Sequence, residues 1–270
     1  MPGPPTAPLH APASLLEGVD AAVCNALGIS NLRHRSALHS LSLPEEIDLA
    51  RLVYEAVAAN WSTGRAADNR DRSAQNWRWC VPQPQIGAAN KSPEVVLERA
   101  IAAACVALGR DDWANQVPVA SGLIRGAADG RRAIDLVHMR GARHFQFVEL
   151  KIASDTPLYA AVELLGYASI WLLTRANPPT RPSALLQADT VDLRVLAPAA
   201  YYAPFALARL EAAVDAGVRL LGAGSGVALS FGFDVLPEGL SATIPPGGKA
   251  LMRLLEARRP LGQPQPSQPL

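Results

Sequence analysis

The sequence predicts an α/β protein in which a mixed central sheet lies between helices and follows a helical N-terminal extension. Three observations carry that reading. Hydrophobic residues make up 49% of the 270 positions, ample for a sizeable core. Apolar residues recur at helical spacing between about residues 13 and 60. From Ser92 onward the pattern runs helix, three strands, helix, strand, helix, strand, with no internal repeat.

Taken in order, Pro2 to Pro12 is rich in Pro and Ala and is expected to be disordered. SLLEGVDAAVCNALGI and LPEEIDLARLVYEAVAANW read as helices, with Pro44 suited to a helix start. Residues 61 to 92 interleave Arg65, Arg70, Arg72 and Arg78 with Trp61, Trp77 and Trp79. That mixture suits either a nucleic-acid groove or a loop packed over the core by its tryptophans, and the latter is the simpler expectation. SPEVVLERAIAAACVALG is a helix capped by Ser92, with Pro93 at its first position and Gly109 closing it. Strands are expected at Asn115 to Ala120, Arg132 to Met139 and His144 to Ala153. A mostly apolar helix, Pro157 to Arg175, ends at NPPTRP. A strand at Val191 to Leu196, a helix at Pro204 to Leu221 and a strand at Val227 to Val235 follow. The glycine-rich run Gly222 to Gly226 comes after a helix and before a strand, the reverse of a phosphate loop, so it reads as a helix end and turn. The organisation is thus an extension over 1–92, a core over 93–236, and a C-terminal helix with a Pro-rich tail expected to be disordered from Arg259 over 237–270.

Composition narrows the function classes. A net charge of +1 gives no global polyanion signal, so any nucleic-acid argument must come from local sites. Cys24, Cys80 and Cys105 form no CxxC pair or zinc spacing and read as reduced residues of a cytoplasmic protein. The N-terminus lacks the pattern of a secretory signal, and no apolar run approaches the ~20 residues of a membrane span. Lysine occurs only at positions 91, 151 and 249, which makes each one worth examining.

One of them stands in the strand HFQFVELKI, where alternation puts Phe145, Phe147, Glu149 and Lys151 on one face. The preceding strand, AIDLVHM, joins it through Arg140 to Arg143, short enough for a hairpin. If Met139 faces Phe145, residue numbers across the ladder sum to 284, and Asp135 falls opposite Glu149. Two opposed carboxylates destabilise a sheet unless something offsets them, and a divalent cation would. Oxygen ligands without His or Cys favour Mg²⁺, or Mn²⁺, over zinc. Lys151 is then placed to orient or deprotonate an attacking water. The plainer alternative is a salt bridge at a strand end. In the upstream helix, Glu98 lies on the apolar stripe of Leu97, Ile101, Ala104, Cys105 and Leu108, so it should point to the core or its rim. Glu94, in the first turn, is expected to be satisfied by free backbone N–H groups and the helix dipole, and so to be dispensable. His138 alternates away from Asp135 and His144 lies at the hairpin turn, so neither is expected in the site.

The VLERAI helix, the AIDLV strand, the hairpin into FVELK and the apolar helix behind it resemble the PD-(D/E)xK superfamily of restriction endonucleases, Holliday-junction resolvases and repair exonucleases, over about Pro93 to Val235. The resemblance implies a restriction-endonuclease-like core. It makes Glu98 the first-helix acid, Asp135 the motif aspartate, and Glu149 and Lys151 the E-x-K pair. It also implies Mg²⁺ held by Asp135, Glu149 and the Leu150 carbonyl, with Glu98 completing the site. Ile134 replaces the proline of the family's name. Tyr159, Glu163 and Tyr167 share one helix line where many members place a Gln or Tyr. Glu163 either approaches the site or satisfies a tyrosine hydroxyl. Arg125, Arg131, Arg132, Arg140 and Arg143 flank the hairpin and either contact phosphates, as the candidate nucleic-acid-binding residues, or form a solvated face. The implied function is Mg²⁺-dependent cleavage of nucleic acid, DNA first, and a homodimer is compatible with it. The alternatives are a non-catalytic nuclease fold binding DNA or a protein, and a nuclease acting on RNA.

Overall fold

Six strands form one mixed sheet in the order β1-β2-β3-β4-β5-β6: β1 Trp113–Pro118, β2 Ala133–Gly141, β3 His144–Leu150, β4 Thr190–Pro198, β5 Ala228–Leu236 and β6 Arg259–Pro260. The computed structural model describes residues 12–35, 47–69, 73, 75–79, 82–87, 89–123, 132–238, 240 and 244–263. β2 runs antiparallel to its neighbours β1 and β3; β3, β4 and β5 run parallel, and β6 returns antiparallel to β5. The parallel steps need crossovers, and helices α4 (Pro157–Ala176) and α6 (Ala208–Gly224) supply them. Crossovers of one hand between successive strands place both helices on the same face of the sheet. Helices α1 (Val19–Leu27) and α2 (Leu49–Thr63) pack there too, whereas α3 (Pro93–Leu108) and α7 (Gly248–Glu256) pack on each other over the opposite face.

The expected order of elements is the observed one, with differences at the margins that have physical causes. α3 begins where the capping argument puts it: the Ser92 side chain accepts from the Val95 N–H, Pro93 follows, and Gly109 closes the helix at φ 63°. α1 is shorter than expected, because Gly18 at φ 77° breaks the chain before Val19. α2 starts at Leu49, where the Asp48 side chain accepts from the Arg51 N–H; Pro44 lies outside the described residues. The glycine-rich run carries α6 to Gly224, then turns through Gly226 at φ 68°. A short helix, α5 (Ala199–Tyr202), follows β4 unforeseen, being too brief to show a period. Tail residues Arg259 and Pro260, expected to be disordered, instead pair with Val235 and Asp234. An edge strand accepts such an addition because its backbone groups would otherwise face solvent.

The extension is not a separate unit. Leu15, Val19 and Val23, with α2 residues Leu49, Val53 and Val57, belong to the same buried cluster as Phe145, Phe147, Leu158 and Trp171. Trp77 is fully buried and stacks on Phe147 at 6.5 Å, while Trp79 packs 5.5 Å from Phe145, so these tryptophans cover the core. Arg70 and Arg72 lie outside the described residues. α4 is long and apolar enough to cross a membrane, but 89% of its apolar window is already buried inside the protein. Cys24 and Cys105 are free thiols, and Cys80 lies outside the described residues.

Candidate active site

The site forms where β2 and β3 part. Their register holds the sum 284 from Met139↔Phe145 to Leu136↔Val148, which would bring Asp135 and Glu149 opposite each other on continuing. Past that pair the backbone ladder stops. The Leu150 N–H, which points toward β2, donates to Asp135 Oδ2 at 2.9 Å, so a side-chain carboxylate replaces a backbone acceptor. The N–H and C=O of one strand residue leave the same edge, so the Leu150 carbonyl also points toward Asp135. On the other edge the chain stays zipped, with the Lys151 N–H donating to the Leu196 carbonyl at 3.0 Å. The expected β3 end at Ala153 is therefore corrected to Leu150, because residues 152–154 are held by a side chain instead of by a strand.

Glu149 and Lys151 are buried, at 4% and 7% exposure. Lys151 Nζ stands 2.9 Å from Glu149 Oε1 and 2.8 Å from Glu163 Oε2, so Glu163 does approach the site. Burial works against the ammonium, but the two carboxylates outweigh it and hold Lys151 above the ordinary lysine range. Glu149 is pushed well above the usual carboxylate range by burial, and then by Asp135 and Glu163 nearby. Its second oxygen, Oε2, is buried with no hydrogen-bond partner. A buried polar atom without a partner costs on the order of 1–3 kcal/mol.

Glu98, 2% exposed, points inward as its place on the apolar stripe requires. It accepts from Asn115 Nδ2 at 2.7 Å and from Gln116 Nε2 at 2.9 Å. The same Gln116 amide reaches Asp135 Oδ1 at 3.5 Å and so joins the two acids. Asn115 is fixed in turn by Gln83, whose N–H it accepts at 2.6 Å and whose carbonyl it donates to at 3.2 Å. Burial first, and Asp135 after it, raise Glu98 to about 7 against the pull of the two amides. Asp135 is raised to about 6, chiefly by burial, with the Leu150 N–H and Lys151 opposing. Gln116 and Asn115 were not singled out in the sequence, where single amides carry no period or motif. The one positional sign of Gln116 is its backbone, at φ 49°, a conformation invisible before the fold is known.

Glu94 does not fit the expectation of a self-satisfied helix acid. Its Oε1 accepts from Ile152 N (3.1 Å), Ala153 N (3.3 Å), Ser154 N (3.4 Å) and Ser154 Oγ (2.9 Å). Burial raises its pKa, but these donors and its own N–H outweigh that and lower it. It clamps the loop that leaves Lys151. Glu94→Ala should therefore destabilise the protein by roughly 1–3 kcal/mol. Glu94→Gln, which keeps one carbonyl oxygen for the same donors, should lose much less. Equal melting temperatures for Glu94→Ala and the wild type in thermal unfolding would remove this role.

Of the arginines expected to touch nucleic acid, Arg132 reaches the site, 3.5 Å from Glu163 Oε1. Arg125 and Arg131 lie outside the described residues. Arg140 and Arg143 stand at the far end of the hairpin, roughly 15 Å from Asp135 at the rise of a strand, and Arg143 is engaged by Asp189 at 2.5 Å, so the fold does not bring them to the carboxylates. His138 faces the other side of the sheet, stacked 4.0 Å from Trp113, and burial lowers it to about 4. His144 contacts Asp192 at 2.8 Å, also away from the site.

Among the described residues, no three His, Cys, Asp or Glu side chains form a ready-made metal cage. The donors present are nonetheless those of a hard cation: the carboxylates of Asp135 and Glu149, the carbonyl of Leu150 and, through its amide partners, Glu98. The orphaned Glu149 oxygen is the observation that fits this set. No family model, no curated protein and no solved structure matches this chain.

Proposed function

We propose that the chain is a Mg²⁺-dependent nuclease of the PD-(D/E)xK type with a restriction-endonuclease-like core, hydrolysing phosphodiester bonds of DNA. The observation that carries this reading is the parted end of β2 and β3. There Asp135 takes the place of a backbone acceptor while Glu149 keeps a buried oxygen without a partner, beside Lys151. Stability alone gives no reason to bury three carboxylates around one ammonium, since a hydrophobic replacement is often at least as stable.

Bound at Asp135, Glu149 and the Leu150 carbonyl, Mg²⁺ would supply charge to the phosphoryl oxygens and lower the pKa of the attacking water. Lys151, held protonated by Glu149 and Glu163, acts as a donor that orients the water and meets charge developing on the phosphate; it does not remove the proton in this arrangement. Gln116 ties Asp135 to Glu98 and limits the directions in which Asp135 can turn. Glu94 fixes the loop through which Lys151 leaves the strand. Purified protein incubated with supercoiled, linear and single-stranded DNA and with RNA, in Mg²⁺, Mn²⁺ or EDTA, tests the assignment. DNA cleavage that requires the cation is expected. Cleavage of RNA alone would change the substrate, and no cleavage of any of the four in either metal would remove the reading.

A further inference from the structure

We infer that Arg33, supplied by the N-terminal extension, and Arg132, at the start of β2, form a clamp for the phosphodiester backbone of the substrate strand at the mouth of the site. The inference rests on the nuclease reading and adds to it a segment outside the motif-bearing core. Arg33 donates to Asp155 Oδ1 at 3.0 Å and to the Tyr159 hydroxyl, and its guanidinium lies 3.8 Å over the Tyr159 ring. Arg132 approaches the same tyrosine from β2 and stands 3.5 Å from Glu163 Oε1. Lys151 closes the circuit, 2.8 Å from Glu163 and 4.0 Å from Asp155.

The distribution of exposure gives the arrangement its direction. The side chains of Arg33 and Arg132 are 46% and 42% exposed, while those of Asp155, Glu163 and Lys151 are 20%, 12% and 8% exposed. Cations thus stand outside and carboxylates inside. A polyanion approaching the acids meets the guanidiniums first, and each fork can grip two phosphate oxygens. A cavity of about 260 Å³ between α1 and α4, lined by Asp20, Arg132, Tyr159 and Glu163 among others, leaves room beside them. Arg35 extends the same rim, donating to the Ala153 carbonyl at 2.8 Å.

Salt dependence separates a phosphate clamp from a structural tie. Binding of a fluorescent DNA oligonucleotide is measured by anisotropy in Ca²⁺ across a KCl series, for the wild type and for Arg33→Ala, Arg132→Ala and Arg33→Lys. Arg219→Ala, on α6 and paired with Asp215, is the charge-matched control. Each alanine variant should raise Kd about fivefold or more at low salt and reduce the slope of log K against log salt by about 0.7–0.9, one phosphate contact. Arg33→Lys should restore most of the slope and Arg219→Ala should match the wild type. Wild-type slopes in both alanine variants, with only a lower melting temperature, would make these arginines ties that hold the extension and overturn the inference while leaving the nuclease reading intact. A wild type that neither binds nor cuts nucleic acid would remove the nuclease reading, and the clamp with it.

Discussion

Asp135→Asn, Glu149→Gln and Lys151→Met should each lower Mg²⁺-supported cleavage by about a thousandfold or more, roughly 4 kcal/mol of barrier, yet they should differ sharply in stability. Glu149 is a buried carboxylate with one orphaned oxygen and two acidic neighbours. Replacing it with an amide removes like-charge repulsion and leaves Lys151 with Glu163 as counter-ion, so the melting temperature should stay or rise. Asp135→Asn keeps an oxygen for the Leu150 N–H and should be close to neutral. Lys151→Met is different. It leaves Glu149 and Glu163 buried without their shared cation, and breaking a buried pair from one side costs about 3–5 kcal/mol. Thermal unfolding alongside a cleavage assay checks both parts. Full activity in all three variants would end the nuclease assignment, and a Glu149→Gln variant as unstable as Lys151→Met would mean that Glu149 serves a structural ion pair.

What the sequence made legible is what repeats or pairs along it. The register between AIDLVHM and HFQFVEL follows from two residue numbers and a turn length, and every ladder pair from Met139↔Phe145 to Leu136↔Val148 obeys it. Glu98 was legible because a carboxylate on an apolar stripe breaks a helical period. Glu94 departs from its expectation for a related reason: helix-end rules describe the helix's own free N–H groups and are silent about a loop 58 residues away that brings three more. Gln116 and Arg33 are out of reach for the same cause, since their roles arise from long-range placement that no local pattern reveals. Arg140 and Arg143 mark the converse limit: they adjoin the hairpin in sequence, but the turn stands at the opposite end of the strands from the carboxylates.

Without metal, Glu98 should cost the protein stability as pH rises from about 4.5 to 7, and Glu98→Gln should remove that cost. The folded-state pKa of Glu98 is raised from 4.5 to about 7 by burial and by Asp135. Between those values the folded chain holds a proton that the unfolded chain has released, so the unfolded state binds fewer protons and stability falls with pH. The full shift corresponds to roughly 3 kcal/mol, complete above about pH 7. Asp135, raised to about 6, slopes the same way, as do Glu149, Asp20, Glu211 and Asp234, whereas His138, lowered to about 4, slopes the opposite way over much of the window. The difference between wild type and Glu98→Gln is therefore the quantity to read, not the wild-type slope alone. Glu94, lowered by its loop donors, acts in the opposite sense and below its ordinary value, so its contribution falls outside this window. Mg²⁺ added near pH 8 should recover stability in the wild type, because it gives the ionised acids a counter-charge, and should recover less in Glu98→Gln. Cleavage by Glu98→Gln should fall about tenfold or need more Mg²⁺. Melting curves from pH 4.5 to 8 in EDTA decide the matter: parallel curves for the two proteins would mean that Glu98 enters the folded state with an ordinary carboxylate pKa, and its place in the site would lose its physical basis.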